Sequence, residues 1–370
     1  RTDARAEDAT VVARTIPSLA ESVVPARFVE AHLVKWEAPI DDHFDLLVPD
    51  ACAHAGAASV SPTADGRLTT TVPAGRSLAM TFELPEQMVG WPRFSIEARA
   101  GAIVDVLVQE GHDPGKPPLM GTPRHSWSRF VCAEGRNTFE TFDFECCRWM
   151  QLHVHGTVGP IVIDDVEFRR RVFPFAREPE LRFEEPALQR LMDAELNTMK
   201  NAVQETLVDG MGRERQQYSG DIGHQVQAVH MCFGDGRLPA RFLDTWSRGI
   251  TQAGYFLDCW PGVDRLVRVA QRELGLTPWG PLLDHGVGFA FDCWHHALYG
   301  GDLDAIRAPL ARHARFVEYL LALRDRDGLL RVDGLGTPVV WIDHEAYEAQ
   351  RHKRCAWNLY AAAMFDHALA

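Results

Sequence analysis

Two stretches decide the fold: Trp149-Met150-Gln151-Leu152-His153-Val154 and, beyond Pro174, Leu188-Gln189-Arg190-Leu191-Met192-Asp193-Ala194-Glu195-Leu196. In the first, Met150, Leu152 and Val154 alternate with Trp149, Gln151 and His153, the period of two that places side chains on opposite faces of a strand. In the second, Leu188, Leu191, Met192, Leu196, Met199 and Val203 recur at helical spacing, with Pro186 where a first-turn proline is tolerated. The chain changes from strand to helix between them.

Upstream, similar runs bounded by Gly and Pro fall at 67–72, 77–84, 94–98, 103–109, 138–144, 149–154 and 161–168, which predicts an antiparallel β-sandwich. Residues 1–59 are less regular and read as its leading edge. Downstream, helices are predicted at 188–203, 222–233, 239–253, 286–299, 305–323 and 355–369. Those at 286–299 and 355–369 are apolar on most faces. The one at 305–323 is one-sided, with Arg307, Arg312, Arg315 and Glu318 outward. Fully apolar helices alternating with one-sided ones predict two concentric layers, as in a toroid of helical hairpins. The expected division is a sandwich over 1–175 and a helical domain over 176–370.

The 370 residues fit two domains and supply ample core. Their charge sum, 38 − 51 = −13, argues against a nucleic-acid or anionic-membrane partner, both of which call for a basic surface. No stretch has the apolar length of a membrane span. The eight cysteines contain no C-x-x-C pair, and Cys146 and Cys147 are adjacent, so buried free thiols and a cytoplasmic setting are expected. The chain opens on Arg1 without a leader and stops inside an apolar helix, which reads as a fragment.

The densest polar stretch in the helical half is D-G-M-G-R-E-R-Q-Q-Y-S-G-D, residues 209–221. Three acids and two arginines alternate there beside Tyr218. Carboxylates held among guanidinium groups acquire the tuned acidities that acid and base chemistry needs. The plainer alternative is a surface loop whose Ser219 and Asp221 cap the next helix. Further on runs a series of aromatics and acids: Asp258, Trp260 and Asp264; Trp279, Asp284 and His285; Asp292 and Trp294; Trp341, Asp343 and His344. Tryptophan beside aspartate at successive helix starts suits a carbohydrate pocket, with rings for apolar sugar faces and carboxylates for hydroxyls. Inner-ring packing is the alternative for at least half of them. H-E-A-Y-E at 344–348 lacks the second histidine of the zinc-helix motif, and neither a P-loop nor a G-x-S-x-G elbow occurs, so no metal or cofactor is expected.

The 209–221 stretch resembles the signature of the α-L-rhamnosidases of glycoside hydrolase family 78, D-C-P-x-R-E-R-x-G-W-x-G-D. Asp209, Arg213, Glu214 and Asp221 reproduce its spacing. Residues 138–156 are similar to the strand pair closing that family's sandwich, 188–203 to its first barrel helix, and 11–17 to a segment upstream. The resemblance implies a β-sandwich followed by an (α/α)6 six-hairpin toroid, incomplete here at the C-terminus, that removes terminal α-L-rhamnose from a carbohydrate substrate with inversion. It implies Glu214 as general acid, and Asp209, Arg213 and Asp221 as sugar-binding or acid-supporting residues. The general base, a late glutamate, is expected beyond residue 370. Tyr218, Trp279, Asp284, Trp341 and Asp343 join them as the expected pocket lining. The sequence departs from the signature at Gly210-Met211 and Gln217-Tyr218, which leaves open another sugar, a six-hairpin lyase, or a non-catalytic carbohydrate-binding relative.

Overall fold

The computed structural model describes residues 13–37, 52–115, 118–121, 127–212, 215–261, 281–336, 338–342 and 352–369. Its first half is an antiparallel sheet of eleven strands: β1 Ala20–Pro25, β2 Arg27–Trp36, β3 Cys52–Ala57, β4 Ser61–Pro62, β5 Leu68–Val72, β6 Ser77–Ala98, β7 Ile103–Gln109, β8 Trp127–Val131, β9 Gly135–Glu140, β10 Glu145–His155 and β11 Gly159–Val172. β6 organises it. Its leading half pairs with β2 and β10, and its trailing half with β11 and β9. Gly90 is the residue where this exchange occurs, opposite Glu145 of β10 and Arg170 of β11. A Cβ at Gly90 would stand 2.1 Å from the Arg169 carbonyl oxygen, so only glycine admits so close an approach.

Even-numbered residues of β6 (Leu78, Met80, Phe82, Leu84, then Phe94, Ile96 and Ala98) keep one face turned to a single core. Met150, Leu152 and Val154 of β10 and Ile161, Ile163 and Phe168 of β11 close that core. The sheet therefore folds on itself into two facing layers. Several expectations need correction. The runs at 77–84 and 94–98 are one strand, because Pro85 and Pro92 interrupt the sequence pattern without ending the ladder. The run at 138–144 ends at Glu140. Residues 20–36, read as irregular, are strands; β1 lies mostly exposed and β2 is bulged between Phe28 and Glu30, which hides both alternations.

The second half has six described helices: α1 Pro186–Ala202, α2 Ser219–Ala228, α3 Arg237–Ser247, α4 Leu283–Gly300, α5 Leu303–Ala322 and α6 Lys353–Leu369. α1 begins with Pro186 after Glu185, whose carboxylate accepts the Ala187 amide. α2 starts earlier than expected and continues as a π turn, Val229–Phe233, ended by Gly234 in a left-handed conformation. α3 stops at Ser247, short of the expected 253. α4 packs against α2 on one side and α6 on the other, whereas α3 packs on α5, giving two rows.

Trp246, Phe242, Phe256, Phe289, Phe316 and Trp357 fill the space between these rows. Gly286 allows α4 to meet α5, since a Cβ there would reach within 2.5 Å of the Phe316 ring. The one-sided character of α5 holds for Phe316 and Leu320, which are buried, and for Arg307, Arg315 and Glu318, which are outward, but Arg312 turns onto α3, donating to Asp244 Oδ1 at 3.1 Å and the Ser247 hydroxyl at 2.8 Å. α6 is not enclosed all round: Trp357, Ala361 and Met364 face the core while Leu359 is 67 % exposed. No described helix is long and apolar enough to cross a membrane. Six cysteines are buried and free, Cys232 is half-buried and Cys355 exposed.

Candidate functional site

Residues 209–218 join α1 to α2 and form a cross-braced loop. The Asp209 amide donates to the Gln216 carbonyl at 3.0 Å and the Gln216 amide returns a bond to Asp209 Oδ1 at 2.8 Å. The Arg215 amide donates to the Gly210 carbonyl at 3.1 Å, and Arg215 Nε to the Met211 carbonyl at 2.8 Å. Asp209 thus sits half-buried where these braces meet. Arg213 and Glu214 lie outside the described residues, as do Trp279, Asp343, Asp264 and His344.

The loop delivers the chain to the start of α2. Tyr218 is buried there, bridged to Cys259 and edge-on to His285 with ring centroids 5.9 Å apart. Gly220 lies against the same imidazole, which a Cβ would approach to 2.6 Å. Ser219 does not cap α2. Its hydroxyl donates to Asp292 Oδ2 at 2.9 Å, so the plain capping alternative fails for this residue. Asp221 occupies the first turn of α2 and is exposed.

α4 brings up the other side. Leu283 and Val339 are joined by a backbone bond of 2.8 Å, which carries residues 339–341 to the helix start. There Asp284 Oδ1 accepts the Trp341 amide at 2.7 Å, and both side chains are half-buried. Of the expected lining, the fold therefore gathers Tyr218, Asp284 and Trp341 where α2 and α4 begin, with Asp209 in the adjoining loop.

Electrostatically this region is built on burial. Asp292 has its pKa pushed up to about 8 by complete burial, against the opposing hydrogen bond from Ser219. Tyr360 of α6 is pushed up to about 12, first by burial and then by Asp292 and Asp284. Asp292, like His285, belongs to the aromatic and acidic series of the sequence, but nothing in the spacing showed that it turns toward Ser219. Gln217, at a departure from the signature, is buried and donates to the Thr245 hydroxyl at 3.1 Å and the Trp260 carbonyl at 2.6 Å. Trp260 itself is 39 % exposed, and Asp258 is buried. Among the described residues no group of three or more His, Cys, Asp or Glu is placed to hold a metal ion.

Another opening lies elsewhere. A groove of about 1090 Å³ runs along α3 toward the start of α5, lined by Arg237, Arg241, Asp244, Arg248, His296 and Asp302 among others. It reaches Gly300, at the far end of α4 from Asp284, which at 1.5 Å per helical residue is roughly 24 Å away.

No family model matches the chain, and no curated protein matches it. Solved structures do. The chain is similar to the family 78 rhamnosidase of Bacillus sp. GL1, with TM-score 0.67 and 16 % identity over 86 % of this chain and 32 % of that one. It is similar to the rhamnosidase from Klebsiella oxytoca with rhamnose bound, at TM-score 0.65 and 15 % identity over 96 % of this chain and 70 % of that one. A third is the Streptomyces avermitilis α-L-rhamnosidase complexed with L-rhamnose, at 0.58 and 20 % over 78 % and 27 %. The chain thus spans about a third of the Bacillus enzyme's length. At such identities the likeness is one of fold: the paired sheet and six helices of this chain are arranged as in α-L-rhamnosidases.

Proposed function

We propose that this chain is the sandwich and leading helices of a glycoside hydrolase of the α-L-rhamnosidase kind, in which α2, α4 and α6 are the inner row of an (α/α)6 toroid and α1, α3 and α5 the outer row. The observation that carries this reading is the joining of the cross-braced 209–218 loop to the starts of α2 and α4, where Tyr218, Asp284 and Trp341 gather. In the reading, Glu214 protonates the departing glycosidic oxygen. A second carboxylate, roughly 6.5–9.5 Å away, takes a proton from water, whose oxygen attacks the anomeric carbon with inversion. Asp209, Arg213 and Asp221 bind the sugar or support the acid, and Tyr218, Trp279, Asp284, Trp341 and Asp343 line the sugar site.

The test is Glu214→Gln in the complete protein, including the sequence beyond residue 370, with an aryl α-L-rhamnoside. Turnover is expected to fall by about a hundredfold or more; retained turnover removes Glu214 from the acid role. A second reading keeps the reaction class and changes the sugar. Met211 and Gln217 favour it: both stand at departures from the signature and both are buried in the loop's surroundings, so they reshape the wall beside it. A panel of aryl glycosides separates the two.

A further inference from the structure

The 209–216 loop is held from outside the helical half by three contacts of different kinds, all made by the sandwich. The first is ionic. Arg215, 5 % exposed, donates to Glu145 Oε2 of β10 at 2.9 Å and pairs with Asp143 Oδ2 at 3.4 Å, while its guanidinium lies 4.4 Å from the centre of the Phe144 ring. The second is apolar: Val208 and Met211 of the loop cluster with Val89 and Cys146 of the sheet, and Phe144 packs on them. The third is a close approach at the end of β7. Glu110 Oε1 lies 2.2 Å from where a Cβ of Gly212 would stand, and Gln87 Nε2 donates to that same oxygen at 3.0 Å. Gln87 is fixed in turn, its carbonyl accepting the side-chain amides of Asn197 and Asn201 on α1, each at 3.0 Å.

Arg215 is the point where these constraints meet. Its φ of 59° is a left-handed conformation unusual for a residue with a Cβ, and such conformations persist where the surroundings over-determine them. One nitrogen of the side chain ties the loop to itself through the Met211 carbonyl, and the other two reach the sandwich. The conformation of Arg215 is therefore set jointly by the loop's own braces and by residues 143–145.

We propose that this edge of the sandwich is part of the catalytic apparatus, with Glu145 acting through Arg215 as a positioning residue for the loop that carries Glu214. The proposal rests on the function proposed above for its kinetic consequence, and on the contacts alone for its conformational one. An acid held out of place harms a substrate that needs its leaving group protonated, and spares one whose leaving group departs as a stable anion.

The experiment compares the full chain with its Glu145→Gln variant on methyl α-L-rhamnoside and 2,4-dinitrophenyl α-L-rhamnoside, alongside amide hydrogen exchange over residues 209–216. Glu145→Gln is expected to slow turnover of the methyl glycoside at least tenfold, to change that of the dinitrophenyl glycoside less than twofold, and to speed loop exchange about tenfold while α4 is unchanged. Equal losses on both substrates, or unchanged loop exchange, overturn the proposal. Should Glu145→Gln fail to fold, Asp143→Asn, at a carboxylate 45 % exposed, carries the same split at smaller size. If the complete protein, with the sequence beyond residue 370 that should supply the base, cleaves no glycoside when unaltered, the function proposed above fails, and loop exchange alone decides the positioning role.

Discussion

The mouth where α2 and α4 begin and the groove along α3 handle carboxylates in opposite ways. At the mouth, Asp292 is fully buried beside a serine hydroxyl, and burial lifts its pKa to about 8. Along the groove Asp244 is half-buried, and next to its wall Asp235 is buried, but bonds from Arg237 to Asp235, and from Arg248 and Arg312 to Asp244, outweigh burial and hold both below the ordinary value. The groove is open, yet Asp244 on its wall is already paired with Arg248 and Arg312 of this chain. Volume and chemical readiness are separate properties, and the function proposed above places the chemistry at the mouth.

The largest expected effect comes from disturbing the mouth directly. Gly220→Ala places a methyl group 2.6 Å from the His285 ring, so the imidazole or the start of α2 must shift. A displacement of that size costs roughly a hundredfold in turnover, and steady-state kinetics on an aryl rhamnoside measures it. Wild-type turnover would detach the mouth from the chemistry.

The second breaks the electrostatic comparison. The raised Asp292 remains protonated in the folded chain while its unfolded counterpart ionises near 3.8. Its contribution is thus fully present below pH 3.8 and is lost as pH rises through about 8. Asp292→Asn should remove that decline, so that its midpoint temperature gains on the wild type between pH 4 and pH 8. Asp235 runs the other way, because its lowered pKa contributes stability above the unfolded value and loses it as pH falls. Asp235→Ala should cost about 1–2 kcal/mol near neutrality, with the difference closing in acid. Parallel slopes for the two variants would erase the distinction. The smallest effect is expected at the groove's surface: Arg248→Ala, removing a guanidinium 60 % exposed, should change stability by less than about 1 kcal/mol and leave turnover alone.

Much of the fold was legible because its patterns are local. The strand expected at 103–109 is β7, the alternation at 149–154 lies inside β10, and the helical spacing from Leu188 gives α1. What escaped depends on distant partners. β6 runs through two prolines because β10 and β11 hold it from either side, and no window of its own sequence contains them. The site divides similarly. The spacing of Asp209, Tyr218 and Asp221 lies in one loop and could be read, as could the neighbouring Asp284 and His285. The tie from Arg215 to Glu145 spans 70 residues, and the Ser219 bond to Asp292 spans 73. Neither leaves a trace in local spacing.

The account stands most directly on where a sugar binds. Crystals of the full chain soaked with L-rhamnose should show the ring at the mouth, within hydrogen-bonding reach of Asp209 or Asp284 and against Tyr218 or Trp341. Rhamnose seated instead in the groove between Arg237 and Arg248, with the mouth empty, would contradict it.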